Sequence, residues 1–176
     1  MKAVLLLVIS VIGAISMHAQ KGYPVPPESP DRLFYIQHNR NHNTFVYDAN
    51  VGANKTLNAK EPIDIYRIAY TKGGKKEELS GMQRKLAYGV TCSRLSNGTF
   101  EFCLVSFPDK KLYLKHGSDG RYVVTTTING REMILHRIFL ATKNDSLLSP
   151  KLDYADFYGK CPKTGREIKE RFYIKA

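Results

Sequence analysis

Three catalytic signatures are missing from this 176-residue sequence: a Gly-x-Ser-x-Gly elbow, a His-Glu-x-x-His helix and a glycine-rich loop opening a helix. Their absence removes the recognisable serine-hydrolase, zinc-protease and phosphate-cradling motifs. Cysteine is scarce and odd in number, with only Cys92, Cys103 and Cys161, so at most one disulfide can form and one cysteine stays outside it. Beyond the first fifteen residues no apolar run is long enough to span a bilayer as a helix. Internal repeats are absent, and the one low-complexity stretch is a short proline-rich linker. Acid is in deficit: 16 Asp and Glu stand against 27 Lys and Arg, for a net charge of +11.

The chain opens as an export signal does. Met1-Lys2, the apolar run Ala3–Ile15 and then Ser16-Met17-His18-Ala19-Gln20 supply the three regions of a secretory leader. We place cleavage after Ala19, giving a leader over 1–19, a Pro-rich linker over 20–30 and a single β domain over 31–176. No cysteine lies near the cleavage site, which disfavours a lipid anchor. Loss of Lys2 takes the net charge from +11 to +10. Such a basic chain suits anionic partners: phosphate-bearing envelope lipids, acidic polysaccharide or nucleic acid. Lysines spread along a chain also describe an ordinary solvated surface, and nucleic acid is the disfavoured member because it needs cations interleaved with aromatics on one face.

Gly22–Pro30 carries prolines at 24, 26, 27 and 30, a density that favours an extended spacer or a strap across the surface. Strands are expected at Leu33–Gln37 and Thr44–Asp48, joined by a loop containing His38 and His42. No partner ligand stands at zinc-binding spacing near these histidines, so no metal site is assigned. Pro62–Tyr70 alternates as a strand, and Lys72-Gly73-Gly74-Lys75 turns the chain. Glu78–Tyr88 switches to helical spacing through Leu79, Met82, Leu86 and Ala87, with Gly89 placed to cap its C-terminus.

Val90–Thr142 reads as a meander. Asn97-Gly98, Asp119-Gly120 and Asn129-Gly130 are two-residue hairpin signals, and Phe107-Pro108-Asp109-Lys110 adds a fourth turn. Counting from Asn129-Gly130 sets Ile128 opposite Arg131, then Thr126 with Met133, Val124 with Leu135 and Tyr122 with Arg137. That register puts the Arg137 guanidinium on an apolar face, either snorkelling to the edge or pairing with an acid, or else serving as a ligand-binding cation. The same counting from Asn97-Gly98 sets Cys92 opposite Cys103. These thiols either form a cross-strand disulfide or pack as two small hydrophobes. Leu152–Tyr158 and Ile168–Ile174 form a closing hairpin around Cys161–Gly165, and Asn144–Pro150 is a loop.

Arg40-Asn41, Asn43, Tyr47-Asp48-Ala49-Asn50, Gln83-Arg84-Lys85-Leu86-Ala87-Tyr88-Gly89 and Leu135-His136-Arg137-Ile138-Phe139 together resemble an exported bacterial family, domain of unknown function 4833. The likeness runs from about Asp31 to Phe172 and implies an exported single-domain protein with no established activity. Asp145-Ser146-Leu147 resembles the O-glycosylation signal of bacteria that export such proteins.

The expected fold is all-β, an antiparallel sandwich or flattened barrel of about eight or nine strands with one short helix. The expected function is a non-catalytic periplasmic or envelope-associated binding or structural domain, with a small envelope hydrolase or glycan-modifying enzyme as the alternative. The candidate ligand-binding set is Arg40, Asn41, Asn43, Asp48, Asn50, Arg84, Lys85, Tyr88 and Arg137, which could equally brace loops and helix against the sheet. No catalytic residue and no cofactor is assigned. A monomer is expected, with an anionic envelope component or a glycan as partner.

Overall fold

The structure is a computed structural model that describes residues 22–39, 42–143 and 152–173. The leader, Arg40, Asn41, the loop 144–150 with its Asp145-Ser146-Leu147 triplet, and Ile174 lie outside the described residues. Among the described residues, eleven strands form one curled sheet: β1 Arg32–His38, β2 Thr44–Ala49, β3 Ile63–Ala69, β4 Lys75–Glu78, β5 Val90–Arg94, β6 Phe100–Leu104, β7 Phe107–His116, β8 Tyr122–Ile128, β9 Arg131–Thr142, β10 Leu152–Lys160 and β11 Glu167–Tyr173. Between β4 and β5 lies α1, Gly81–Gln83, continued by a π-helical turn over Arg84–Tyr88. The all-β expectation with one short helix therefore holds. Among the described residues, no helix is long and apolar enough to cross a membrane.

Long β9 is the seam of the molecule. At Ile134 its two partners are Thr125 of β8 and Lys160 of β10; at Arg137 they are Tyr35 of β1 and Tyr158 of β10. β8 and β1 therefore share one edge of β9 and diverge from it. One wing runs β1-β2-β3-β4 and the other β8-β7-β6-β5. The wings fold over a common core that includes Phe34, Tyr47, Phe102, Leu114, Leu135 and Phe157. The β1–β9 pairing is parallel, a correction to the purely antiparallel expectation.

The fork also corrects the register beyond Asn129-Gly130. Ile128 does face Arg131 and Thr126 does face Met133, but the β8 ladder stops at Thr125–Ile134 and Arg137 is claimed by Tyr35. A β-bulge sits here, because Gly159 pairs with Leu135 while its neighbour Tyr158 pairs with Arg137. The extra residue, His136, reverses the alternation. Leu135 and Ile138 both enter the core, and Arg137 turns to the outer face instead of the apolar one.

Turn chemistry explains the remaining differences. Asn129 and Gly130 both take positive φ, +48° and +73°, as a two-residue turn of the mirror-image type requires. At Asn97-Gly98 only the glycine does. Leu95 N–H donates to Thr99 O at 2.8 Å and Gly98 N–H to Leu95 O at 3.1 Å, which makes a three-residue loop. One added residue shifts every pair: Cys92 faces Phe102 and Cys103 faces Thr91, on opposite sides of the hairpin. The register that set Cys92 opposite Cys103 is thereby corrected, and the structure holds both as free cysteines. Asp119-Gly120 closes the same way, from Gly117 to Arg121.

Phe107-Pro108-Asp109-Lys110 is not a turn. Val105-Ser106 is, with Leu104 opposite Phe107, and Pro108 lies in the irregular stretch that follows, where its missing N–H costs no ladder bond. Lys75–Glu78 pairs with β3 rather than starting the helix. The helix begins only at Ser80, whose side chain caps Gln83 N–H while Gln83 caps Ser80 N–H in return, a box that satisfies two orphan donors. Gly89 is not a left-handed cap, since its φ is −67°. It is needed for room: a Cβ there would sit 2.1 Å from Arg84 O.

The proline-rich segment is a strap on the outer face. Pro24 O accepts from Gln37 Nε2 at 2.7 Å and from Thr44 Oγ1 at 3.1 Å, and Val25 O from Tyr70 Oη at 3.1 Å. Tyr23 meets Phe139 edge-on at 5.0 Å.

Candidate functional site

The strands and the fork divide the candidate residues between two places. Asn50, Arg84 and Lys85 line a cleft of about 720 Å³ between the helical turn and β3, together with Glu61, Asp64 and Cys92. Most of this wall is bracing. Arg84 donates to Ile65 O at 3.1 Å and to Glu78 Oε2 at 2.9 Å, which ties the turn to β3. Asn50 Nδ2 donates to Glu61 O at 2.8 Å. Lys85 points to solvent. The cleft holds two carboxylates, but Asp64 pairs with Lys76 at 3.2 Å, and burial raises the pKa of the Cys92 thiol, which keeps it from being a ready nucleophile.

Tyr88 belongs to the core, not to the cleft. Its ring stacks on Phe45 at 3.6 Å, its hydroxyl meets His38 Nε2 at 2.9 Å and its carbonyl accepts from Tyr47 Oη at 2.7 Å. Burial drives the His38 pKa down to about 4 and raises that of Tyr88. His38 thus faces inward while His42 is exposed. No group of three or more metal-ligating side chains occurs among the described residues. Asn43 is half-buried just ahead of β2.

Asp48 and Arg137 lie on the opposite, outer face. Asp48 is clasped by Arg32 Nε at 2.5 Å and by the Tyr66 hydroxyl at 2.8 Å. That hydroxyl pKa is pushed up to about 12, first by burial and then by the bond to Asp48. Cross-strand register places Arg137 in a row that crosses four strands: Lys169 of β11, Tyr158 of β10, Arg137 of β9 and Tyr35 of β1. The Arg137 guanidinium lies 3.7 Å from the Tyr158 ring centre, a cation–π stack in a setting only 5 % exposed. Tyr35 is raised in pKa by burial, against the pull of Arg137.

A second row runs beside it. Asp156 pairs across the ladder with Arg171, and Tyr154 with Tyr173. The Asp156 carboxylate is 2 % exposed and accepts from Arg171 Nε at 2.6 Å, Arg171 Nη2 at 2.8 Å and Lys169 Nζ at 3.0 Å. Burial raises its pKa, but these cations outweigh burial and hold it below the usual value. Arg171 also stacks on Tyr154 at 3.6 Å. The fork of carboxylate bonds below and the ring beside it lock this guanidinium in one orientation.

Beyond these two rows, Lys160 stands at the end of β10 opposite Glu167, which lies 2.8 Å from His136 Nε2. Four cations, Arg137, Lys160, Lys169 and Arg171, therefore share this face with two carboxylates that are already engaged, and with four tyrosines, Tyr35, Tyr154, Tyr158 and Tyr173. Tyr154, Tyr158, Tyr173, Lys169 and Arg171 are absent from the sequence-derived set. Their signal was the alternation Tyr154-x-Asp156-x-Tyr158 and Lys169-x-Arg171-x-Tyr173, which the Lys160–Glu167 register brings side by side.

This geometry defines a small all-β domain with a Tyr-and-cation outer face and a braced helical cleft. The family model described as Domain of unknown function (DUF4833) matches residues 34–171, and the chain belongs to that family. No curated protein and no solved structure matches the chain.

Proposed function

We propose that the protein is an exported, non-catalytic binding domain, working in the periplasm or against the outer envelope, that holds an anionic glycan on its β10–β11 face. The observation that carries this reading is the placement of Tyr154, Tyr158 and Tyr173 among Lys169, Arg171 and Arg137, with Asp156 wholly occupied in positioning two of those cations. Flat rings supply apolar contact to sugar faces at low entropic cost. Lysine and the pre-oriented Arg171 supply partners for ring carboxylates. Tyr154 and Tyr158 are four residues apart on one strand, roughly 13 Å, a span suited to a chain of sugars. Tyr173 is 70 % exposed and stands at the outer edge of the platform.

Calorimetric titration with an oligogalacturonate at physiological salt tests this. The charged oligomer is expected to bind while its methyl ester does not. Arg171→Ala, which removes one charge-assisted contact, and Tyr158→Ala, which removes one ring contact, should each weaken binding about tenfold, whereas Lys85→Ala in the cleft should leave it unchanged. Equal binding of the neutral ester, or loss on Lys85→Ala alone, contradicts the assignment.

A further inference from the structure

The helical turn is anomalous in one respect: apart from Tyr88, which packs against the core, it buries none of its side chains. Its two largest apolar side chains, Met82 and Leu86, are 72 % and 67 % exposed and stand four residues apart on one face. Among the described residues, the other exposed large hydrophobics are Val25, at 43 %, and Tyr173, at 70 %. The turn is nevertheless held firmly. The Ser80–Gln83 capping box fixes its start, Arg84 ties it to β3, and Gly89 N–H donates to Arg84 O at 2.9 Å. A rigid mount that presents two apolar side chains to water has the form of a docking device.

We propose that Met82 and Leu86 form a wedge that seats the protein on an anionic lipid surface. Size argues against a protein partner or a second copy, because a stable protein interface takes roughly 20–30 residues on each side. Two side chains fall far short of that. Shallow insertion among headgroups asks for less, and its strength combines apolar contact with electrostatic attraction. Exposed Lys85 lies between the two apolar residues and Lys60 on the neighbouring wall. The nearby carboxylates Glu78 and Asp64 are paired with Arg84 and Lys76, leaving Glu61 as the opposing acid. The net charge of the mature chain, +10 once Lys2 is removed from the +11 of the full sequence, then supplies long-range attraction that a neutral bilayer would not return. Contact of this kind is reversible, salt-sensitive and dependent on lipid charge. It is independent of the glycan-binding face, which lies on β10–β11.

The sequence contains no tryptophan, so Leu86→Trp places a single reporter in the wedge. With phosphatidylglycerol vesicles its emission should shift to the blue and be quenched by brominated acyl chains, with no change on phosphatidylcholine vesicles. Tyr173→Trp, in a separate variant, should stay unshifted. In sedimentation with phosphatidylglycerol vesicles, the otherwise unaltered mature protein should partition at least ten times more strongly than Met82→Ser/Leu86→Ser. Both substituted side chains are exposed, so folding is preserved and thermal unfolding confirms it. Absence of partitioning, equal partitioning to neutral vesicles, retention of partitioning in the double variant, or an unshifted Leu86→Trp reporter each overturns the proposal. Loss of glycan binding with vesicle binding intact would count against the β10–β11 assignment alone.

Discussion

Gly89→Ala should destabilise the fold by about 3 kcal/mol or more, the upper end of what single substitutions do. A methyl group there would lie 2.1 Å from Arg84 O and 3.0 Å from Arg84 C, both backbone atoms that no rotamer change can move. Relief requires breaking the bond from Gly89 N–H to Arg84 O, and with it the bond from Val105 N–H to Gly89 O that holds the turn to the β6–β7 connection. Tyr88 is adjacent, so its stack on Phe45 and its contact with His38 are also disturbed. Thermal unfolding of the variant is the measurement. A midpoint within a degree or two of the parent would show that the turn can relax elsewhere.

Stability should also fall as pH drops from about 6.5 to 4, with His38 and His136 as the causes. Burial lowers its pKa to about 4 from an ordinary 6.5, so between those values the unfolded chain binds a proton that the folded one refuses. The unfolded state therefore gains protons first, and stability decreases with falling pH. A depression of that size corresponds to roughly 3 kcal/mol once pH falls below both values. His136 adds in the same direction: burial lowers it to about 4 although Glu167 pulls the other way. Asp156, held below its usual pKa, contributes stability that is lost only at still lower pH. Denaturant titrations at a series of pH values should give a slope in this window, reduced by about half in His38→Gln. An unchanged slope in that variant would assign the acid sensitivity elsewhere.

Legibility in the sequence followed the range of the interactions. Asn129-Gly130 was readable because both residues tolerate positive φ and the flanking strands alternate cleanly. Asn97-Gly98 carries the same letters yet closes a three-residue loop, and that single residue separates Cys92 from Cys103. The proline strap was legible from composition, since four prolines in nine residues exclude a packed element. The surroundings of Arg137 were not legible, because they depend on the parallel β1–β9 pairing and the bulge at His136. Neither leaves a local mark. Of the candidate residues, Asn50, Arg84 and Lys85 converge on one cleft, while Tyr88 and Asp48 are committed to opposite faces by ordinary strand and helix geometry. The Tyr-and-cation rows were missed because they become visible only once the last hairpin is paired in register.

The most direct measurement is an amide chemical-shift titration of the mature protein with an oligogalacturonate at physiological salt. Perturbations confined to β10 and β11, centred on Tyr154, Tyr158, Lys169 and Arg171, are the predicted result. Perturbations centred on Asn50, Arg84 and Lys85, or none at saturating oligomer, would contradict it.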